Sequence, residues 1–485
     1  MPNEVKSLNE ECGVFGIWGS EDAAELTYLG LHTLQHRGQE GAGIVSLTPM
    51  GVRRHRGLGL LSEVFAQPDQ LRELYGRASL GHVRYATAGG RILENIQPLL
   101  FRFSDQSIAL AHNGNLTNAQ SLRRQLEAQG AIFQSTSDTE VLMHLIRRSD
   151  KIGFDAQLDQ ALNTVQGGFA FMLLTEHALY AASDPNGFRP LVIGRLANGA
   201  VVICSETAAL TAVGAQFVRD VQPGEVIRVD NTGMHSHAYT KRTQLAVCAM
   251  EFIYFARPDS TIHGVNVHQA RVRLGEQLAR EQPTPDGDIV CGVPNSSLSA
   301  AIGYARESGL PYEMGLVKSQ YIARTFIQPT QALREKSVRM KLSAIPEVVA
   351  GKNVVLVDDS IVRGTTAIQI VKLLRAAGAK SVHLRISSPP LRFPCFYGID
   401  IQTMDQLMAA QYTVSEMRDR LDVDTLGFLS VTGLEEGIGL RSDAPHHGLC
   451  TAYFTGDYPT ELGDYETSYQ AELALRPINL EEVSA

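Results

Sequence analysis

Asp358 and Asp359 stand side by side after an apolar run, Val354-Val355-Leu356-Val357, and ahead of Ser360-Ile361-Val362-Arg363-Gly364-Thr365-Thr366. The run reads as a short buried strand. Residues 366–377 read as an amphipathic helix with Ile370, Val371, Leu374 and Ala377 on one face and Gly378 as its stop. A strand that feeds a loop into a helix N-terminus is an anion site, because free N–H groups and the helix dipole point into the loop. Gly364 admits the close approach of a phosphate, and Thr365 and Thr366 add hydroxyl donors. Two carboxylates would repel a bare phosphate. They suit ribose hydroxyls, or a divalent cation that also binds a pyrophosphate. The GxxxxGK[ST] spacing of a Walker A loop is absent. An acidic turn without a ligand is the plain alternative.

A second set of reactive residues lies in the first half. Glu11-Cys12-Gly13-Val14-Phe15-Gly16-Ile17 is a strand with a thiol at its head, and residues 23–35 have a helical pattern. The glycine-punctuated turn His36-Arg37-Gly38-Gln39-Glu40-Gly41-Ala42-Gly43 follows. Then come Gly81-His82-Val83-Arg84-Tyr85-Ala86-Thr87 and Ala111-His112-Asn113-Gly114-Asn115-Leu116. Ser137-Asp138-Thr139-Glu140 opens a helix, with Ser137 or Asp138 placed to cap it. Between 168 and 229 short apolar strands alternate with turns such as Asp184-Pro185-Asn186-Gly187. A sandwich of sheets flanked by helices accommodates this pattern. Alone, Cys12 reads as a buried structural thiol.

The elements around Asp358 repeat the same logic. A helix over 269–280 precedes a strand at 288–293, and Pro294-Asn295-Ser296-Ser297 opens a helix over 298–307. This is a second strand–loop–helix anion site, although helix capping alone would also explain Ser296 and Ser297. Between the loops, Lys318, Arg324, Arg334, Lys336, Arg339 and Lys341 form a basic cluster. A solvated helix face is the usual meaning of such a run. Between two anion loops it reads as a flap that closes over pyrophosphate and excludes water.

The chain has 485 residues, enough for two cores, and a net charge of −9. That balance excludes general nucleic-acid and membrane-surface binding. No apolar stretch reaches the length of a membrane span, and residues 1–11 are polar without the apolar core of a signal peptide. Six scattered cysteines suit a reducing, cytoplasmic setting better than a disulfide frame. Cys204 and Cys291 lie in apolar strands and read as core. Gly437-Ile438-Gly439 lacks the third glycine of a dinucleotide fingerprint.

The stretch 354–366 resembles the phosphoribosyl pyrophosphate (PRPP) loop of type I phosphoribosyltransferases. Residues 294–297 resemble that family's pyrophosphate loop. The resemblance implies PRPP binding by Asp358, Asp359, Ser360, Arg363, Gly364, Thr365, Thr366 and Lys318, and Mg²⁺ held by Ser296, Asp358 and Asp359. The first-half segments resemble the glutamine amidotransferase domain of the N-terminal-nucleophile hydrolases. There, an N-terminal cysteine supplies both a thiol nucleophile and, through its α-amino group of pKa near ~8, a base. Cys12 meets that requirement only if 1–11 is a propeptide that is removed. The likeness further implies Arg84 for the glutamine α-carboxylate, Asp138 for its α-amino group, and Asn113 and Gly114 as oxyanion hole.

Residues 248–260 resemble the segment joining the two domains in glutamine PRPP amidotransferases, and the likeness runs from Glu11 to about Pro459. The chain is identified as a member of that family, in its iron–sulfur, N-terminally processed subclass. The expected fold is an αββα N-terminal-nucleophile sandwich followed by an α/β type I phosphoribosyltransferase domain. The boundaries are 1–11, 12–245, 246–465 and a tail of 466–485 without readable chemistry. The family's activity would release ammonia from glutamine through a Cys12 thioester and pass it inside the protein to C1 of PRPP. Tyr254 and Arg257 are the expected couplers. Purine nucleotides are expected inhibitors and a homotetramer the expected assembly, in the cytoplasm.

That subclass carries a 4Fe-4S cluster on four cysteines. Cys248, Cys395 and Cys450 match three of them. The fourth belongs to a C-x-x-C pair, and His447 holds that place here. Cys₃His ligation of a cluster, zinc on the same ligands and three metal-free thiols all remain open. Two rival readings have less support. Other Cys-type amidotransferases share the first half but not 354–366. A non-enzymatic PRPP sensor would have no purpose for the Cys12 constellation.

Overall fold

The computed structural model describes residues 12–85, 90, 92–319, 342–401 and 403–475. Two antiparallel sheets form the first half. One runs Gln216–Asp220, Val192–Arg195, Val201–Cys204, Gly13–Trp18, Ala78–Arg84, Gly41–Thr48, Gly51–Leu58. The other runs Gly233–Ala238, Glu225–Asp230, Leu179–Ser183, Gly167–Leu174, Ser107–Leu116, Leu99–Arg102. Gly13–Trp18 and Gly167–Leu174 are buried along their whole length, because one face meets the other sheet and the opposite face meets helices. Val14, Val45, Leu80, Ala111, Ala170 and Met172 fill the layer between the sheets. Phe15, Ile17, Leu31 and Leu34 hold the helix Ala23–Thr33 against one outer face. Leu142, Ile146, Leu158 and Phe171 pack Thr139–Arg148 and Phe154–Leu162 on the other. This is the expected αββα sandwich.

The second half is built on parallel strands in the order Ile289–Gly292, Asn353–Asp358, Ser381–Ile386, Thr425–Phe428. Side chains alternate across it with period two. Val355 and Val357 join Leu274, Ala301 and Tyr304 on one side, while Val354 and Leu356 join Ile370, Val371 and Leu374 on the other. The strand Asn353–Asp358 therefore runs apolar on both faces, which is why 354–357 reads as an unbroken hydrophobic run, whereas its neighbour Ser381–Ile386 alternates Val382, Leu384 and Ile386 with His383 and Arg385. Cys204 and Cys291 are buried core residues, as expected.

A buried ionic cluster joins the halves. Arg37, fully buried after the first helix, donates to Glu206 and to Glu251. Glu206 also accepts from the Arg257 N–H at 3.0 Å and the Ser260 hydroxyl at 2.6 Å. The C-terminal segment ties back as well. Asp464 accepts from the N–H of Gln120 at 2.7 Å, at the start of the helix Ala119–Ala128. The expected tail opens with the helix Glu466–Leu475, whose Tyr469 packs against Phe396, Tyr458 and Leu462.

Candidate active sites

Cys12 sits at the head of the central strand Gly13–Trp18, and its thiol donates to the Tyr85 carbonyl at 3.3 Å. Burial pushes that thiol up to about 11, with the nearby charges of Arg84, Asp138 and Glu40 acting on it. At neutral pH it is therefore a thiol and needs a base. Arg84 ends the neighbouring strand, buried, 3.7 Å from the Glu40 carboxylate. Glu40 belongs to the glycine-punctuated turn, but nothing in the sequence marked it as Arg84's partner.

Asn113 and Gly114 lie on Ser107–Leu116, in the facing sheet. The His82 ring lies 3.1 Å from the His112 carbonyl and so links the two sheets beside the site. Asn113 is buried and its side-chain nitrogen has no hydrogen-bond partner, a donor left open where interiors normally satisfy them. Gly114 holds φ +140°, and a Cβ there would lie 2.0 Å from the Gly168 carbonyl oxygen, so only glycine fits.

Asp138 does not cap its helix through its side chain, as the sequence suggested. Its carboxylate accepts from the Leu116 N–H at 3.0 Å and lies 3.6 Å from His112 Nδ1. Burial opposes its charge, yet these two partners and the Thr139 N–H keep it below the usual carboxylate range. It therefore stays an anion, as a partner for an α-ammonium group must.

In the second half, Asp358 closes the strand Asn353–Asp358, and both aspartates are buried. Ser297 donates its hydroxyl to Asp358 at 2.9 Å and lies 3.4 Å from Asp359. Ser360 donates to Asp359 at 2.7 Å, and the Ser296 hydroxyl also bonds Asp359. Capping does not explain Ser297, since its side chain makes no cap bond. Burial raises both carboxyls above their ordinary range, and the charge of Asp359 adds to the rise at Asp358. Two such oxygen donors flanked by hydroxyls fit a hard divalent cation, whose charge would relieve the crowding.

Gly364, at φ +75°, precedes the helix Thr365–Ala376, one residue earlier than expected. A Cβ on it would meet Met408 Sδ at 2.6 Å. Thr365 and Thr366 are exposed on the helix's first turn, and Arg363 donates to Gln406. Lys318 stands exposed on the ribbon Leu316–Lys318, paired with Leu342–Ala344. Among the described residues it makes no hydrogen bond or ion pair with either aspartate. The rest of the expected flap, with Arg324, Arg334, Lys336, Arg339 and Lys341, lies outside the described residues, as does the expected propeptide.

Arg271 was missed by the sequence reading. It is buried on the helix Val267–Glu281, donates to the carbonyls of Phe252 (2.7 Å) and Ala256 (2.8 Å), and feels the charge of Asp359. Burial pushes it down to about 10, against that attraction. No pattern singles out one arginine of this helix.

Cys248 and Cys450 are brought opposite each other by the parallel pair Val247–Cys248 and Leu449–Cys450. Cys395 lines the same cavity. His447 does not, and its assignment as a fourth ligand is corrected. Its side chain is 61% exposed and lies 4.0 Å from Glu435, over a separate open cleft. His446 and His447 both hold φ near +50°, which turns this segment away from the thiols.

Residues 82–212 match the glutamine amidotransferase domain model, and residues 269–387 match the phosphoribosyl transferase domain model. Fold and sites thus define a glutamine-dependent amidotransferase fused to a phosphoribosyltransferase. The amidophosphoribosyltransferase of Staphylococcus aureus (strain COL) is 57% identical over 97% of this chain and 95% of its own length. That of Bacillus subtilis (strain 168) is 55% identical over 95% and 97%. A solved structure of glutamine PRPP amidotransferase from B. subtilis, complexed with ADP and GMP, superposes with TM-score 0.89 at 54% identity, covering 93% of this chain and 98% of that one. The chain belongs to the amidophosphoribosyltransferase family. It hydrolyses glutamine and transfers the ammonia to C1 of PRPP, giving phosphoribosylamine, glutamate and pyrophosphate at the committed opening of purine synthesis.

Proposed function

We propose that the family reaction runs here on the residues assembled above. Removal of residues 1–11 exposes the α-amino group of Cys12, which takes the thiol proton as sulfur attacks the glutamine side-chain amide. Arg84 and Asp138 hold the α-carboxylate and α-ammonium, and the Asn113 amide with the Gly114 N–H receives the developing oxyanion. The unpartnered Asn113 donor carries this reading, since it marks where negative charge is awaited.

In the second site Asp358 and Asp359, with Ser296 and Ser297, would hold Mg²⁺, which on binding neutralises the pyrophosphate leaving group. Ser360, Arg363, Gly364, Thr365 and Thr366 would cradle the phosphoribosyl part. Ammonia travels within the protein, and the junction couples the sites. Arg257 reaches Glu206 in the first half through its backbone N–H, while its side chain pairs with Asp259. Nucleotide feedback is proposed on the strength of the B. subtilis relative, which binds ADP and GMP. A cytoplasmic homotetramer is the proposed assembly, and among the described residues no helix is long and apolar enough to cross a membrane.

The test compares glutamine with ammonium as nitrogen donor, with and without PRPP. PRPP should stimulate glutamine hydrolysis; hydrolysis at the same rate without it would remove the coupling.

A further inference from the structure

The 4Fe-4S cluster implied by the expected subclass meets a donor set that does not suit it. Three thiols face the cavity between the halves, but among the described residues no group of three or more His, Cys, Asp or Glu side chains is disposed to hold a metal ion. The cavity measures about 10 Å³, room for about one water, whereas the cluster is a body of four irons and four sulfides. Aromatic rings take up the rest of the space: Phe188, Tyr397, Phe454 and Tyr458 line the same walls.

A C-x-x-C pair that includes Cys450 can run in either direction. Backwards it reaches His447, which faces the open cleft. Forwards it reaches Tyr453, on the short helix Ala452–Thr455 that also lines the thiol cavity. Tyr453 is buried, its hydroxyl has no hydrogen-bond partner, and its ring feels both Cys395 and Cys248. A buried hydroxyl without a partner costs stability, so the site tolerates this oxygen rather than needing it.

We infer that this chain folds and works without the cluster, and that Tyr453 occupies the corner where a fourth thiol would have to stand. The three cysteines serve as packing at the joint between Val247–Cys248 and Leu449–Cys450. One substitution, Tyr453→Cys, would remove the ring, open the cavity and complete four thiols on one centre.

The test is iron and acid-labile sulfide content, with the visible spectrum, of the full chain purified anaerobically from iron-supplemented cells. The native chain should be colourless, with roughly a tenth of an iron per chain or less, and its activity, assayed with Mg²⁺ supplied, should survive air and prior treatment with an iron chelator. Tyr453→Cys should be brown and carry about four irons per chain. Tyr453→Phe should stay colourless and melt no lower than the native chain, because no hydrogen bond is lost. Stoichiometric iron and sulfide in the native chain overturns the inference, and that measurement needs no variant to fold. A folded Tyr453→Cys protein that stays free of iron overturns the assignment of the corner to Tyr453.

Discussion

The glutamine site and the PRPP site bury their reactive groups equally, yet burial leaves them with opposite needs. Cys12 is a neutral thiol, and the remedy proposed for it is covalent: a base on the same residue once residues 1–11 are removed. Asp358 and Asp359 are crowded carboxyls, and the remedy proposed for them is a cation brought in with the substrate. The first site is assembled from strand ends of a rigid sandwich, with an open amide donor already in place. The second is held by hydroxyls that bridge two βα loops, and on the proposed reading its charge balance closes with a ligand. On this reading a preorganised site and a ligand-completed one sit in a single chain, whose halves are joined through Arg37, Glu206 and Glu251.

The contrast can be broken most sharply at Cys12. Cys12→Ala should lower glutamine-dependent synthesis by on the order of 10³-fold or more while leaving ammonium-dependent synthesis near native, measured as phosphoribosylamine formed. Loss of both would mean the sites are not separable. Asp359→Asn should do the reverse, cutting synthesis from either nitrogen donor by roughly 10²–10³-fold while basal glutamine hydrolysis persists.

Asn113→Ala should lower kcat for glutamine hydrolysis by about 10²-fold or more, without loss of melting temperature, because the native amide has no partner to lose. A large drop in stability would make Asn113 structural. Ser297→Ala should weaken apparent Mg²⁺ affinity by roughly tenfold in a metal titration of activity, and an unchanged titration would place the cation elsewhere.

A further test concerns pH, with an effect of about tenfold at each step. With 1–11 attached, the Cys12 thiol at about 11 is protonated throughout the neutral range. Its alkylation by iodoacetamide should therefore rise about tenfold per pH unit from 7 to 10, following the thiolate fraction. A plateau near neutrality in the unprocessed chain would contradict a thiol raised by burial.

Much of this was legible in the residues because it is local. An apolar run, a turn of small residues and an amphipathic stretch specify a strand–loop–helix unit wherever they occur. Asp358, Asp359, Gly364 and the helix at Thr365 accordingly fell within a residue of expectation. Cys12 at the head of a buried strand was equally plain. What escaped were choices between equivalent local options. Ser297 could cap its helix or face the aspartates, and it faces them. Asp138 could cap its own helix or take the Leu116 N–H, and it takes the N–H.

Residue types and short-range spacing therefore determined the elements of the two folds, the thiol at the head of a buried strand and the acidic loop, since these follow from periodicity and from chemistry within a few residues. Only the tertiary structure decided which neighbour of Cys450 meets the other thiols. His447 and Tyr453 are each three residues away, and spacing cannot separate them. The left-handed backbone at His446 and His447 sends one side chain to solvent, while the turn of helix at Ala452–Thr455 sends the other inward. Side-chain direction depends on backbone dihedrals, and packing between segments far apart in the chain sets those.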